Sequence, residues 1–570
     1  MLDPNNFRLS RNSISALLLA GVTALGGCTN AVPEPSGSID FAPQSYPAEA
    51  DAPCEVGTDG APLAGIQRIN STDEHTITFE LCKPDSSFLS KLALFKFSID
   101  DSGYLSRMSA NGAIDRAPNG TGPFALSAWQ DGSQIVLKRN ESYWGTKAQA
   151  QSLVFEFQND STASLLRLQA GTADGMASVG SNDAATILSD SNLSLVTRSP
   201  LAMSFIAMTN KAKPFDDVRV RQAVALAIDR QRIVDLFYGQ GATTAHSYTP
   251  CAILYGCEGD AWYEQDIARA KELLVEAGLP NGFATTMIVR SDATSATPYP
   301  LEIAQDLQAQ LSGIGIATTI EVLENTVWRT RMSSGENVGL GIGGGWVADY
   351  PDVSNYLDFY FRVGGGGSSR FGSPDQELSD TLARAAAEVD GEKRAELYAV
   401  ANNRIKELVP MIPIVQTGSP IAIRSDVTGG SASPLEIENL AAFKPADREQ
   451  LVWLLQTEPS TLYCPGAASQ DPLRACAQIS EALYGFSEGT TQLEPRLATE
   501  CKVSSDGLLW TCTLRNGVRF HDGSKFDATD VVDSFALQWD CSHPWRNSKL
   551  TYNYFAFFSK FLNEEACAVQ

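Results

Sequence analysis

The sequence predicts an α/β fold spread over several domains. Strand and helix signals alternate along the chain instead of segregating, as in mixed sheets covered by helices. The 570 residues, 43% of them hydrophobic, suffice to bury more than one core. Charged residues make up 19%, and beyond the N-terminus no segment is apolar for long enough to cross a bilayer.

Taken in order, residues 76–81 alternate, with Ile77, Phe79 and Leu81 on one face, and read as a strand. Residues 135–138 and 153–157 read as two more. Residues 218–236 read as one amphipathic helix, with Val220, Val224, Ala227 and Ile228 at helical spacing and Asp217 as its cap. Ile303, Leu307 and Leu311 form another stripe, ended by Gly313 and Gly315 before a strand over 317–322. Residues 364–369 form a glycine-rich loop. Residues 431–450, with Pro434, Pro445 and several charges, suit a linker, and a strand is expected over 451–455. Cys501 and Cys512 flank a turn at Ser504-Ser505-Asp506-Gly507, as a cross-strand bridge in a hairpin would. Asp527 opens a helix that carries Val531, Val532, Phe535 and Trp539.

The formal net charge of −24 disfavours nucleic acid, whose binding needs Lys and Arg to neutralise phosphates, and equally disfavours adhesion to anionic lipid. Residues 1–28 read as an export signal: Arg8 and Arg11, a short apolar run over 14–24, then Leu25-Gly26-Gly27-Cys28. Small residues before a cysteine resemble the lipobox of bacterial lipoproteins, which implies acylation of Cys28; an ordinary signal with an incidental cysteine is the alternative. Residues 29–60, rich in Pro, Ser, Ala and acidic side chains, read as a flexible leash. Ten cysteines remain, an even number in an exported chain, which favours disulfides. Cys251 and Cys257, Cys464 and Cys476, and Cys501 and Cys512 are close pairs. Cys54, Cys82, Cys541 and Cys567 are left over, and their pairing stays open between Cys54–Cys82 with Cys541–Cys567 and a bridge from Cys54 to Cys567. Zinc fits poorly, since no Cys-x-x-Cys pair occurs and His75, His246, His521 and His543 are scattered.

Two groups of motifs carry a family resemblance. Residues 451–539 contain Leu451-Val452-Trp453, Glu458-Pro459-Ser460-Thr461-Leu462 and a run from Ser505-Asp506-Gly507 to Phe520-His521-Asp522-Gly523. Residues 66–434 contain Gly120-Thr121-Gly122-Pro123-Phe124, Tyr143-Trp144-Gly145, Val220-Arg221-Gln222-Ala223 and Trp346-Val347-Ala348-Asp349-Tyr350-Pro351-Asp352. On these blocks the chain resembles the dipeptide- and oligopeptide-binding receptors of bacterial ABC importers. The first group resembles the family's beginning and the second its middle and end, so the order is rotated, and no block occurs twice. The resemblance implies a two-lobed periplasmic-binding-protein-like fold with an extra subdomain, circularly permuted. In this order, residues 61–205 are first lobe, 206–410 second lobe, 411–434 a return to the first lobe, 435–450 the linker joining the family's old termini, and 451–570 the beginning of the first lobe. It also implies an exported, lipid-anchored monomer on the outer face of the cytoplasmic membrane. Such a receptor captures a peptide and delivers it to the permease subunits, without cofactor or metal. A receptor for an oligosaccharide or metal chelate, or a non-transporting surface sensor, is the alternative.

The family meets a peptide's ammonium group with the aspartate of a Trp-x-x-Asp segment, matched here by Trp346 to Asp349. This implies Asp349 as the ammonium partner, Trp346 as pocket lining and Gly345 as a point of close backbone approach. The alternative is that Asp349 caps a turn before Pro351. Asp352 stays open between ligand and solvent. Ala467-Ala468-Ser469-Gln470 matches a segment that offers backbone bonds to the ligand, which makes Ser469 a candidate. Nearby, Leu462-Tyr463-Cys464 departs from the family's Leu-Asp-Pro. Catalysis is not expected. Gly341–Gly345 lacks the third glycine of a dinucleotide loop, Asp522, Asp527 and Asp530 miss the calcium-loop spacing, and neither Gly-x-Ser-x-Gly nor His-Glu-x-x-His occurs.

Overall fold

The structure, a computed structural model, describes residues 41–56, 65–180, 183–294, 296–334, 338–365, 367–368, 375–550 and 552–568. Ala42–Gln570 forms one compact unit distinct from Met1–Phe41. The export signal, Cys28, much of the leash and part of the 364–369 loop lie outside the described residues.

One seven-stranded sheet runs in the order Phe124–Gln130, Gln134–Arg139, Ser152–Phe157, Gln450–Leu455, Gly175–Met176, Ile421–Arg424, Leu193–Val196. Its middle strand comes from late in the chain. Leu451 lies opposite Leu153 and Trp453 opposite Phe155 in a parallel pair, and Gly175–Met176 flanks the other edge. Leu451 and Trp453 face a core containing Phe155 and Phe443, while Leu454 faces a second core with Leu165 and Ile187. A parallel strand covered on both faces needs apolar residues on both, which explains the unbroken Leu-Val-Trp-Leu-Leu run.

A second seven-stranded sheet runs Thr243–Thr244, Met411–Thr417, Ala202–Met208, Leu340–Ile342, Phe283–Arg290, Ile316–Leu323, with Gly345–Val347 also paired to Ala202–Met208. Ala202–Met208 and Met411–Thr417 are buried throughout and pair with each other. The chain therefore passes between sheets near residues 197–201 and 418–420; a boundary at 205 cuts through Ala202–Met208, and one at 410 falls just ahead of Met411–Thr417, which belongs to the second sheet. A third sheet is antiparallel, in the order Gln44–Tyr46, Ile66–Asp73, Thr76–Leu81, Leu509–Leu514, Ala498–Val503. Helix Ala528–Trp539 packs on it, started by a capping box between Asp527 and Asp530. Phe535 from that helix meets Phe79 edge-on at 5.3 Å.

Two expected elements differ. Residues 218–236 form two helices, Val218–Ala227 and Arg230–Phe237. Ile228 is extended, and Asp229 accepts a bond from the Arg232 amide to cap the second helix. Residues 435–450, expected as a linker, are packed against the rest of the protein. Leu440 and Phe443 are fully buried, and Lys444–Pro445 pairs with Val427–Thr428. Glu438, 1% exposed, holds Arg198 at 2.6 Å and Arg474 at 2.7 Å. The charges of this segment thus include the carboxylate of a buried triad, tolerated because two guanidiniums compensate it. The ten cysteines stand as Cys54–Cys82, Cys251–Cys257, Cys464–Cys476, Cys501–Cys512 and Cys541–Cys567.

Candidate functional site

The loop bearing Asp349 is placed by two short strands on one edge. Leu340–Ile342 and Gly345–Val347 both pair with Ala202–Met208, and Gly343 turns between them at φ +94°. A side chain at Gly345 would put its Cβ 2.4 Å from that of Ala296, so packing within the protein already demands this glycine. Asn355, on helix Val353–Phe361, then fixes the loop. Its Oδ1 accepts from Trp346 Nε1 at 2.9 Å and from the Asp349 amide at 3.1 Å, and its Nδ2 donates to Asp349 Oδ2 at 3.2 Å. Asp349 is half-buried, and among the described residues no cation pairs with it. Burial pushes its carboxyl up, with the Asn355 bond opposing.

Asp352, not Asp349, caps that helix, accepting from the Ser354 amide at 2.9 Å. Arg394 Nη2 reaches both its oxygens, at 2.8 and 2.9 Å. Asp352 is buried and faces neither ligand nor solvent. Burial alone would raise its carboxyl, but the Arg394 charge and the Ser354 bonds hold it below the usual range.

A cleft of about 770 Å³ opens beside this loop, with Ala348 and Asp349 contributed by the second-sheet lobe. A smaller pocket of about 290 Å³ is lined by Gly345, Trp346 and again Asp349. Trp346 packs against Phe359 at 4.5 Å and Tyr360 at 5.4 Å. The three second-lobe candidates thus come together at the small pocket, and of them only Asp349 also reaches the large cleft. Ser469 is exposed at the start of helix Gln470–Cys476 and lines neither, whereas its neighbour Gln470 lines the cleft.

Two cleft residues escaped the sequence reading. Glu481 accepts from Tyr143 OH at 2.7 Å, Trp144 Nε1 at 2.7 Å and Thr121 Oγ1 at 2.9 Å. Gly120 and Gly122 permit this, since a Cβ on either would lie within 2.6 Å of the Ile479 carbonyl. Two motif blocks therefore converge on one buried carboxylate, which burial pushes up despite these bonds. Lys96 is 5% exposed, lines the cleft and lies over the Tyr554 ring at 4.4 Å. Lys96 stands as a lone ionisable residue in the largely apolar stretch 92–99, which was the available signal; Glu481, preceded by Gln478 and Ser480, gave none. Among the described residues, His246, Cys251 and Cys257 bring possible metal ligands together, but the two sulfurs are joined to each other and offer no thiolate.

The sequence profile of the family described as "Bacterial extracellular solute-binding proteins, family 5 Middle" matches residues 38–368 and 492–564. Heme-binding protein A of Haemophilus influenzae is 30% identical over 65% of this chain and 68% of its own length. Di/tripeptide-binding protein 1 of Pseudomonas aeruginosa is 30% identical over 70% of this chain and 74% of its own. Among solved structures, HbpA2 from Haemophilus parasuis superposes with a TM-score of 0.62 at 28% identity, covering 67% of this chain and 76% of that one. DppA from Helicobacter pylori in complex with the peptide STSA gives 0.53 at 28% identity, covering 67% and 74%. These relatives are binding proteins, not enzymes, and the chain belongs to the bacterial extracellular solute-binding proteins of family 5.

Proposed function

We propose that the protein is an exported receptor that captures peptides in the large cleft and delivers them to the permease of an ABC importer, tethered through a lipid on Cys28. The observation that carries the peptide reading is Asp349. It is a half-buried carboxylate on the cleft, held by a neutral amide and, among the described residues, left without a cation, as a site for an ammonium group requires. The names of the Pseudomonas aeruginosa and Helicobacter pylori relatives add support. Two lobes flanking such a cleft suit closure around a ligand by hinge motion.

The rotated order is read as a circular permutation. The profile matches two separate stretches, and the late strand Gln450–Leu455 sits at the middle of a sheet built from early ones. Residues near the two sides of the rotated joint also touch: Lys560 Nζ lies 2.7 Å from Glu55 Oε1, and Tyr46 OH 2.5 Å from Asp540 Oδ2. Adjacent ends are what a permutation needs.

Mass spectrometry of the solute released from the purified protein tests the peptide reading. Peptides with free amino termini are expected. A haem, sugar or metal chelate as the released species would replace it.

A further inference from the structure

We propose that Lys96 is the anion-binding residue of the cleft, its ammonium group receiving a carboxylate of the captured solute while Asp349 takes the solute's cation. The proposal rests on the peptide reading only in naming that carboxylate as the peptide's C-terminal one.

The other buried cations of the described residues are all satisfied inside the protein. Lys91 pairs with Asp85, Arg290 with Asp292 and Arg394 with Asp352, while Arg198 and Arg474 share Glu438. Arg221, Arg230 and Arg546 donate to backbone carbonyls. Lys96 has the face of Tyr554, and among the described residues no carboxylate or carbonyl accepts from its Nζ. A ring face replaces only part of the hydration a buried ammonium loses. The cost shows in its titration: burial pulls the ammonium down to about 8. Most molecules still carry the charge at pH 7, so the cleft wall presents a cation short of an anion.

Its position is rigid. Lys96 is the middle residue of the 3₁₀ turn Phe95–Phe97. Phe95 packs on the Cys464–Cys476 cluster, and Phe97 is wedged among Phe535, Phe555 and Phe558. With both neighbours anchored in cores, Lys96 reaches the cleft. Asp349 is close to the same tyrosine, because its charge, after burial, is what raises Tyr554. Lys96 lies over that ring and the charge of Asp349 reaches it, so a cation and an anion both bear on one tyrosine of the cleft wall.

The test uses two randomised dipeptide libraries, one of free acids and one of C-terminal amides, and a series of monocarboxylates from acetate to octanoate. Binding is read by native mass spectrometry and thermal shift on the wild type and on Lys96→Met. The expected result is that amidation weakens wild-type binding roughly ten- to a hundredfold, that Lys96→Met weakens free-acid binding comparably, and that the variant does not distinguish acids from amides. Anion binding favours the protonated lysine, so wild-type affinity for the monocarboxylates, which carry no amine of their own, is full below about pH 8 and falls as pH rises through it; Lys96→Met loses that dependence. Equal wild-type binding of acids and amides overturns the Lys96 proposal and leaves the peptide reading standing. If neither library binds but a monocarboxylate stabilises the wild type and not Lys96→Met, the peptide reading fails and the Lys96 proposal holds. No binding in any arm overturns both. The acid–amide comparison needs no variant, so equal binding overturns the proposal even if Lys96→Met misfolds; a second variant, Lys96→Gln, must also lose any acid preference, since Lys147, Lys444, Arg496 and Arg515 line the same cleft.

Discussion

Asp349 and Asp352 stand three residues apart and meet opposite surroundings. Asp352 is paired with Arg394 and caps a helix, so Asp352→Ala strands a buried guanidinium and is expected to lower unfolding free energy by about 3–5 kcal/mol. Its carboxyl is depressed in the folded state. The stability it contributes is therefore present above the unfolded value of about 3.9 and disappears as pH falls through the lower folded one. Asp349 has the reverse sign. Its carboxyl is raised, so whatever stability it gives is present below the unfolded value and lost as pH rises through the folded one. At pH 7 it is a net cost to the empty receptor, and Asp349→Asn should leave stability unchanged or raise it, an advantage that vanishes near pH 3. Denaturant titrations at both pH values check the pair; a loss of several kcal/mol in Asp349→Asn at pH 7 would make that residue structural. Trp346 and Asp349 were legible because four adjacent residues carry the Trp-x-x-Asp pattern. The burial of Asp352 was not, because Arg394 arrives from 42 residues away. Glu481 gathers its donors from across 337 residues or more.

Where one element's own residues decide its form, the sequence reading was close. Thr76–Leu81 alternates in burial, and Cys501 lies directly opposite Cys512 across a hairpin, as their spacing suggested. The failures came where tertiary partners overrode local pattern. Periodicity ran through Ile228 and hid the cap at Asp229, while the prolines and charges that suit a linker over 435–450 gave no sign that Arg198 and Arg474 close over Glu438. Glu438→Gln should therefore cost about 3–5 kcal/mol, against less than about 0.5 kcal/mol for a substitution in an exposed connector. Equilibrium unfolding distinguishes the two. For the cross-links, peptide mapping without reductant is expected to recover the five pairs; three or more free thiols would contradict the pairing.

At the scale of the whole molecule, two sheets need both the early and the late parts of the chain. If the order is a permutation, a gene that places residues 451–568 ahead of 42–450 should yield a protein with the same disulfides and a thermal midpoint within a few degrees; failure of that chain to fold would oppose the reading. On the proposed function, two lobes meeting at a cleft with Asp349 on its wall make the free amino group of a peptide the decisive feature of the ligand. Calorimetry with the peptide recovered from the purified receptor and with its N-acetylated form, on wild type and Asp349→Ala, tests this most directly. Acetylation should cost the wild type about 2–5 kcal/mol, roughly thirty- to several-thousand-fold in affinity, and the variant far less, because the two changes remove the same charge pair. Equal losses in the two proteins would contradict capture of the ammonium group by Asp349.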